Sequence, residues 1–226
     1  MARRNTSYRS KSKPKSPKEQ RKKLKPKTNN QEGYIRSIAE SDVTFCTGPA
    51  GSGKTAVAVG LACEYLLEKK VEKIILTRPI VESGGRGLGF LPGTMNEKIQ
   101  PWLVPVIEEM NLYLTKDTVN SFRSANKIEL CPLEYMRGRN FHNSFMILDE
   151  AQNATFEQIK MFLTRIGRES KATINGDLDQ TDLIQHQSGL AYCVDRLDQL
   201  DGVGICRLSS EDIIRHTIIS KILERL

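Results

Sequence analysis

Two short stretches carry residues whose types and spacing could do chemistry. The first, GPAGSGKT at Gly48–Thr55, fits GxxxxGK[ST] at every defining position. Gly51 and Gly53 let a backbone turn tightly, its N–H groups aimed inward with no Cβ in the way. Gly48, Pro49, Ala50, Gly51, Ser52 and Gly53 then form a wall around a β-phosphate, and a following helix adds the positive end of its dipole. Lys54 reaches the β/γ oxygens, and the Thr55 hydroxyl reaches a magnesium ion. The second stretch, FMILDEAQN at Phe145–Asn153, runs from four apolar residues into adjacent carboxylates, Asp149 and Glu150. By itself such a pair is ordinary solvated turn chemistry. Beside a complete cradle, Asp149 is expected to hold Mg²⁺ through water, and Glu150 to polarise an attacking water as general base.

A third stretch, INGDLDQ, offers Asn175 or Gln180 as a hydrogen-bond partner of the γ-phosphate or the lytic water, with Asp177 orienting the amide. The bland reading of the same residues is an Asn-Gly turn. Phosphoryl transfer spreads negative charge over the transferring oxygens, so a further cation would help. Arg78, Arg137, Arg139, Arg165, Arg168 and Arg207 are candidates. Arg78 follows a strand and suits the same subunit's site, whereas Arg139 and Arg168 are preferred for reaching into a neighbour.

Strands and helices alternate around these stretches. DVTFCT (Asp42–Thr47) reads as a strand and AVAVGLACEYLLEKK as a helix, the cradle between them. Further strands are expected at Lys73–Thr77, Lys127–Leu130, Phe145–Leu148, Lys171–Asn175 and Val203–Leu208. Helices are expected at Gln31–Ile38, Thr155–Ile166 and Ser188–Leu200, and SSED (Ser209–Asp212) is expected to cap and open a last one that bears Ile214, Ile218, Ile222 and Leu226. Two helical pieces between Ile99 and Leu112 should break at Pro101 and Pro105. The alternation predicts an α/β fold, a mostly parallel sheet with helices on both faces. In such a sheet the carboxyl ends of the strands share the ligand edge. That places Asp149 near Thr55.

The net charge of +7 conceals a division. Residues 1–30 hold four Arg, eight Lys and one Glu, so residues 31–226 are net acidic. This leading segment has too little to bury to order its backbone and is expected to be a disordered basic tail ahead of a domain at 31–226. Its charge suits RNA or single-stranded DNA, though a solubilising or protein-docking arm would look the same. No run approaches the roughly 20 apolar residues of a membrane span. Five scattered cysteines without a CxxC pair point to a reducing compartment and away from a structural metal.

Taken together, GPAGSGKT, LTRPIVESGGRGLGFLPG, PLEYMRGRNFHNSFMILDEAQNAT, MFLTRIG and INGDLDQTDL resemble the PhoH family of phosphate-starvation-inducible ATPases, related to the superfamily 1 helicase core. The resemblance covers about residues 28–226. It implies a RecA-like P-loop fold, ATP and Mg²⁺ as cofactors, a cytoplasmic setting, and Gln31 as a reader of adenine. The family's VEAGEKLGF stands here as VESGGRGLGF, one residue longer and without the acid after the glycine. No nuclease or RNA-binding domain precedes the core in this sequence, which argues against nuclease or processive helicase action. A related helicase closes its ATP site with a second RecA-like domain. This chain is too short to contain one, so the second wall is expected from another copy, and repeating that head-to-tail contact gives a ring. The resemblance implies a hexamer, and the Gly84–Gly93 loop either lines its nucleic-acid path or covers the core. A nucleotide-gated regulatory module with slow turnover is the competing class, and a nucleotide kinase a weaker one.

Overall fold

The computed structural model describes residues 23–79, 95–181 and 188–213. Residues 1–22 of the expected tail, the Gly84–Gly93 loop and the final helix beyond Ile213 lie outside these residues, while SSED, expected to open that helix, forms a 3-10 turn over Ser210–Asp212 capped by Ser209.

Among the described residues, six strands form one parallel sheet: β1 (Val43–Thr47), β2 (Lys73–Thr77), β3 (Ile128–Leu130), β4 (Ser144–Leu148), β5 (Lys171–Gly176) and β6 (Val203–Arg207), in the order β3-β2-β4-β5-β1-β6. Helices α1 (Asn29–Glu40), α2 (Lys54–Leu67), α3 (Met95–Tyr113) and α4 (Lys116–Ser124) lie on one face. Helices α5 (Phe156–Leu163) and α6 (Leu190–Leu197) lie on the other. Strand alternation divides the core between the faces. Ile74, Leu76, Phe145 and Ile147 pack under α2 and α3, while Ile75, Met146, Leu148 and Ile174 pack under α5 and α6. Burial on both faces explains why β4 is apolar along its whole length.

Two expectations change. Helix α3 runs straight through Pro101 and Pro105 rather than breaking there. The prolines are four residues apart, so the missing backbone donors stack on one side of the helix, and the other rows of hydrogen bonds carry it across. The folded body also begins before residue 31. Thr28 caps α1 by accepting from the Gln31 backbone N–H, and the Leu24 N–H donates to Glu64 Oε1 at 2.8 Å. Leu24, the lone leucine of the basic segment, packs against the α2 side of the core. One apolar side chain and one cap hydroxyl are enough to order a stretch whose composition otherwise reads as tail.

Candidate functional site

β1 ends at Thr47 and α2 starts at Lys54, with the cradle between. Gly51 and Gly53 adopt φ of 84° and 94°, and the Gly48 N–H donates to the Gly176 carbonyl of β5 at 3.2 Å. A Cβ on Gly48 would stand 2.5 Å from the Leu208 carbonyl oxygen, and one on Gly53 2.7 Å from Gln31 Nε2. Crowding therefore demands glycine as firmly as torsion does. Ser52 is fully buried, and its hydroxyl donates to the Pro49 carbonyl at 2.8 Å, which tightens the loop from within. Ala50 and Gly51 form the exposed rim. The Lys54 ammonium bends back over the loop, 2.6 Å from the Gly48 carbonyl oxygen and 3.0 Å from that of Pro49.

Asp149 follows β4 directly and is almost wholly buried. Thr55, 94 residues away in sequence, donates its hydroxyl to Asp149 Oδ1 at 2.8 Å. Oδ2 accepts from Arg78 Nε at 3.0 Å and Nη2 at 2.5 Å. Among the described residues no group of three or more His, Cys, Asp and Glu could hold a metal. One carboxylate and one hydroxyl beside a glycine cradle fit Mg²⁺, which keeps several waters and leans on phosphate oxygens. They do not fit a cation held by protein ligands alone.

Glu150 is exposed and left-handed, at φ 56° and ψ 39°, a conformation that costs a non-glycine residue about 1–2 kcal/mol. Gln152 holds it there, donating Nε2 to Glu150 Oε2 at 2.7 Å. The Oε1 of the same amide accepts the Asp177 N–H at 3.0 Å, which ties the ends of β4 and β5 together. Reasoning from the sequence misses Gln152. Its signal is its place as one of the two amides that follow the carboxylates.

Asn175 departs from expectation. β5 runs one residue past its expected end, to Gly176, so Asn175 lies inside the strand and not at its tip. Alternation sends Ile174 under α6 and turns Asn175 toward α1, where it is fully buried and its Oδ1 accepts the Tyr34 hydroxyl at 2.6 Å. Burial lifts the Tyr34 phenol well above its ordinary pKa and keeps it a donor. Asn175 is thus a core partner of Tyr34, and the strand-end contact falls to Gln152. Gln180 lies exposed just past the turn that follows β5.

Gln31 sits buried against the cradle, donating Nε2 to the Ser52 carbonyl at 2.8 Å and accepting the Lys27 N–H at 2.9 Å. Arg139 and Arg168 lie at the other edge of the sheet. Arg139 shares a groove with Lys73 and Ser144, which begin β2 and β4, and pairs with Glu129 at 2.6 Å while its guanidinium stacks on Phe141. The Arg168 carbonyl accepts the Asn143 N–H just before β4. On the cradle's side of the sheet stand Arg78, bonded to Asp149, and Arg207, which pairs with Thr47 at the end of β1.

Comparison with known proteins bears on the fold and on the family. The large terminase of a thermophilic bacteriophage shares the fold, with a TM-score of 0.57 at 12% identity over 89% of this chain and 50% of that one. Its ADP complex gives 0.52 at 12% identity, covering 87% and 49%. A PhoH-like protein of Mycobacterium bovis is 46% identical over 204 residues, 90% of this chain and 58% of the relative. Protein PhoH of Escherichia coli is 40% identical over 197 residues, 84% and 54%. The chain thus spans a little over half the length of these relatives. The family model described as PhoH-like protein matches residues 23–226, starting at the residue where the described fold starts. Cradle, strand-end carboxylates and matched span coincide, and the chain belongs to the PhoH family.

Proposed function

We propose that this chain binds ATP with Mg²⁺ in the Gly48–Thr55 cradle and hydrolyses it to ADP and phosphate. The observation that carries this reading is the meeting of Thr55 and Asp149 at 2.8 Å beside the cradle, with Glu150 next in the chain. The loop's backbone N–H groups and Lys54 hold the phosphates. Lys54 exchanges its contacts with the Gly48 and Pro49 carbonyls for phosphate oxygens that carry a full charge. Thr55 and Asp149 would hold the ion, which would supply charge stabilisation for the phosphoryl transfer. Glu150 takes the proton of the attacking water, and Gln152 fixes the carboxylate from the side. A positioned base of this kind is worth roughly 10²–10⁴-fold in rate. Gln31, against the wall of the loop, is the proposed contact to the base of the nucleotide.

The proposal extends to assembly. A cradle at one sheet edge and Arg139 and Arg168 at the other suit a head-to-tail ring, in which a neighbour's arginine reaches the phosphates. Arg168, which is exposed, suits that role better than Arg139, which Glu129 and Phe141 hold in place. A hexamer is the form expected. RNA or single-stranded DNA is the proposed partner, drawn by the basic leading segment and passing through the ring channel.

The test is ATP turnover with and without RNA or single-stranded DNA over a range of salt, alongside the mass of the particle in solution. The reading expects Mg²⁺-dependent hydrolysis, stimulation by one of the polymers that fades with salt, and a closed ring. Turnover indifferent to both polymers would favour the nucleotide-gated module instead.

A further inference from the structure

Arg78 and Asp149 are the first residues beyond the ends of adjacent strands. β2 pairs with β4 in parallel, Thr77 beside Leu148, and the Asp149 N–H donates to the Thr77 carbonyl at 3.0 Å. The sheet itself fixes the pair. The Asp149 side chain is 3% exposed and that of Arg78 16%, so little water screens them. Both Nε and Nη2 of the guanidinium face a single carboxylate oxygen, Oδ2, while Thr55 takes the other.

We propose that Arg78 acts as a built-in counter-cation which keeps a divalent metal off Asp149 until nucleotide arrives, so that metal and nucleotide enter together. The inference rests on the nucleotide reading above and adds an order of binding to it. A buried carboxylate left alone would be strongly disfavoured, and the guanidinium supplies the compensating charge. A dication approaching the same carboxylate meets a positive group already bonded to it, in a setting where like charges repel with little screening. Among the described residues no group of three or more His, Cys, Asp and Glu stands ready to outweigh that repulsion. A triphosphate changes the balance, because its several negative charges offset both cations and offer the guanidinium planar, bidentate partners. Arg78 is on this view a positioning residue. It acts on the metal through Asp149.

Mn²⁺ serves as the probe, with the free ion counted by electron paramagnetic resonance against the full chain, first without nucleotide and then with ADP. The wild-type chain should bind Mn²⁺ weakly without ADP, and R78M at least about ten-fold more tightly. Adding D149N to R78M should remove the gain, and ADP should narrow the gap between wild type and R78M. R78Q keeps a donor to Oδ2 and so guards against a folding defect, and its Mn²⁺ affinity should fall between those of wild type and R78M. Equal or weaker Mn²⁺ binding by R78M and R78Q than by wild type overturns the proposal. A wild-type chain that binds no ADP would instead remove the nucleotide reading, while the Mn²⁺ comparison would still decide whether guanidinium and metal compete.

Discussion

Gln152 donates its side-chain amide to the Glu150 carboxylate at 2.7 Å, and with the oxygen of that amide it accepts the backbone N–H of Asp177 at 3.0 Å. The carboxylate that follows β4 is therefore aimed by a residue clamped to the end of β5. A general base acts only within hydrogen-bond reach of its proton, so loss of the clamp should cost rate before affinity. Q152A is expected to lower ATP turnover by roughly 10- to 100-fold while ADP affinity, read by calorimetry, changes little. Equal loss in both would assign Gln152 to the cradle instead.

Glycine substitutions should separate crowding from propensity. G53A places a Cβ 2.7 Å from Gln31 Nε2 on a backbone at φ 94°. It should lower stability by about 1–2 kcal/mol from the left-handed conformation alone and abolish nucleotide binding. G33A lies in α1, where an added Cβ meets nothing within 4 Å. It should raise stability by about 0.5–1 kcal/mol. Urea unfolding of the two variants checks both signs.

Asp212 stitches the beginning of the fold to the segment after β6. Its side chain, 1% exposed with its residue, accepts from the Ser209 N–H at 2.7 Å, from Asn30 at 2.9 Å and from the Thr28 hydroxyl. Burial pushes this carboxyl up, but hydrogen bonds from the Ser209 backbone, Thr28, Asn30 and the Ser209 hydroxyl outweigh it, and its pKa ends below the ordinary value. A depressed carboxyl stabilises the fold above its unfolded pKa, and the benefit fades as pH falls through the folded one. At pH 7, D212N should unfold more readily than wild type, by on the order of 2 kcal/mol for charge-assisted bonds. The gap should close on acidification below about pH 4. Paired urea curves from pH 7 to pH 2.5 measure it.

Truncation should respect the contacts that Leu24 and Thr28 make. Residues 1–22 carry nine Lys and Arg against one Glu. Their removal should weaken binding to RNA or single-stranded DNA at low salt and leave the melting temperature unchanged. Removing residues 1–30 deletes the Leu24 contact and the Thr28 cap as well, and should cost about 2 kcal/mol in addition. Only the shorter deletion is a clean test of nucleic-acid contact. Equal binding by the chain without residues 1–22 would refute that contact.

The parallel sheet, the strand–cradle–helix order and the place of Asp149 beside Thr55 are legible in the sequence because each is written locally. An apolar strand, a glycine pattern and an amphipathic helix place the parts, and the strand-end rule brings Thr55 to Asp149. What escaped depends on register or order in the sheet. Asn175 reads as the tip of its strand, but pairing with β1 extends β5 through Gly176 and fixes which face Asn175 takes. The Arg78–Asp149 pair spans 71 residues and exists because β2 adjoins β4, a neighbourhood that no local spacing encodes. Arg139 and Arg168 were visible as candidates, yet their distance from this chain's cradle follows from the position of the loops that enter β4 and β5. The prolines of α3 misled for the opposite reason. A local rule about breaking was obeyed in its hydrogen bonds and overridden in its outcome.

The central claim is that Lys54, Thr55, Asp149 and Glu150 form one site for the hydrolysis of a magnesium-bound nucleotide. Its most direct test compares wild type with E150Q, measuring ATP affinity and ATP turnover on the same preparations. The claim predicts affinity unchanged within about two-fold and turnover lowered by at least about 100-fold. Turnover that survives in E150Q, or a wild-type chain that binds no ATP, would contradict it.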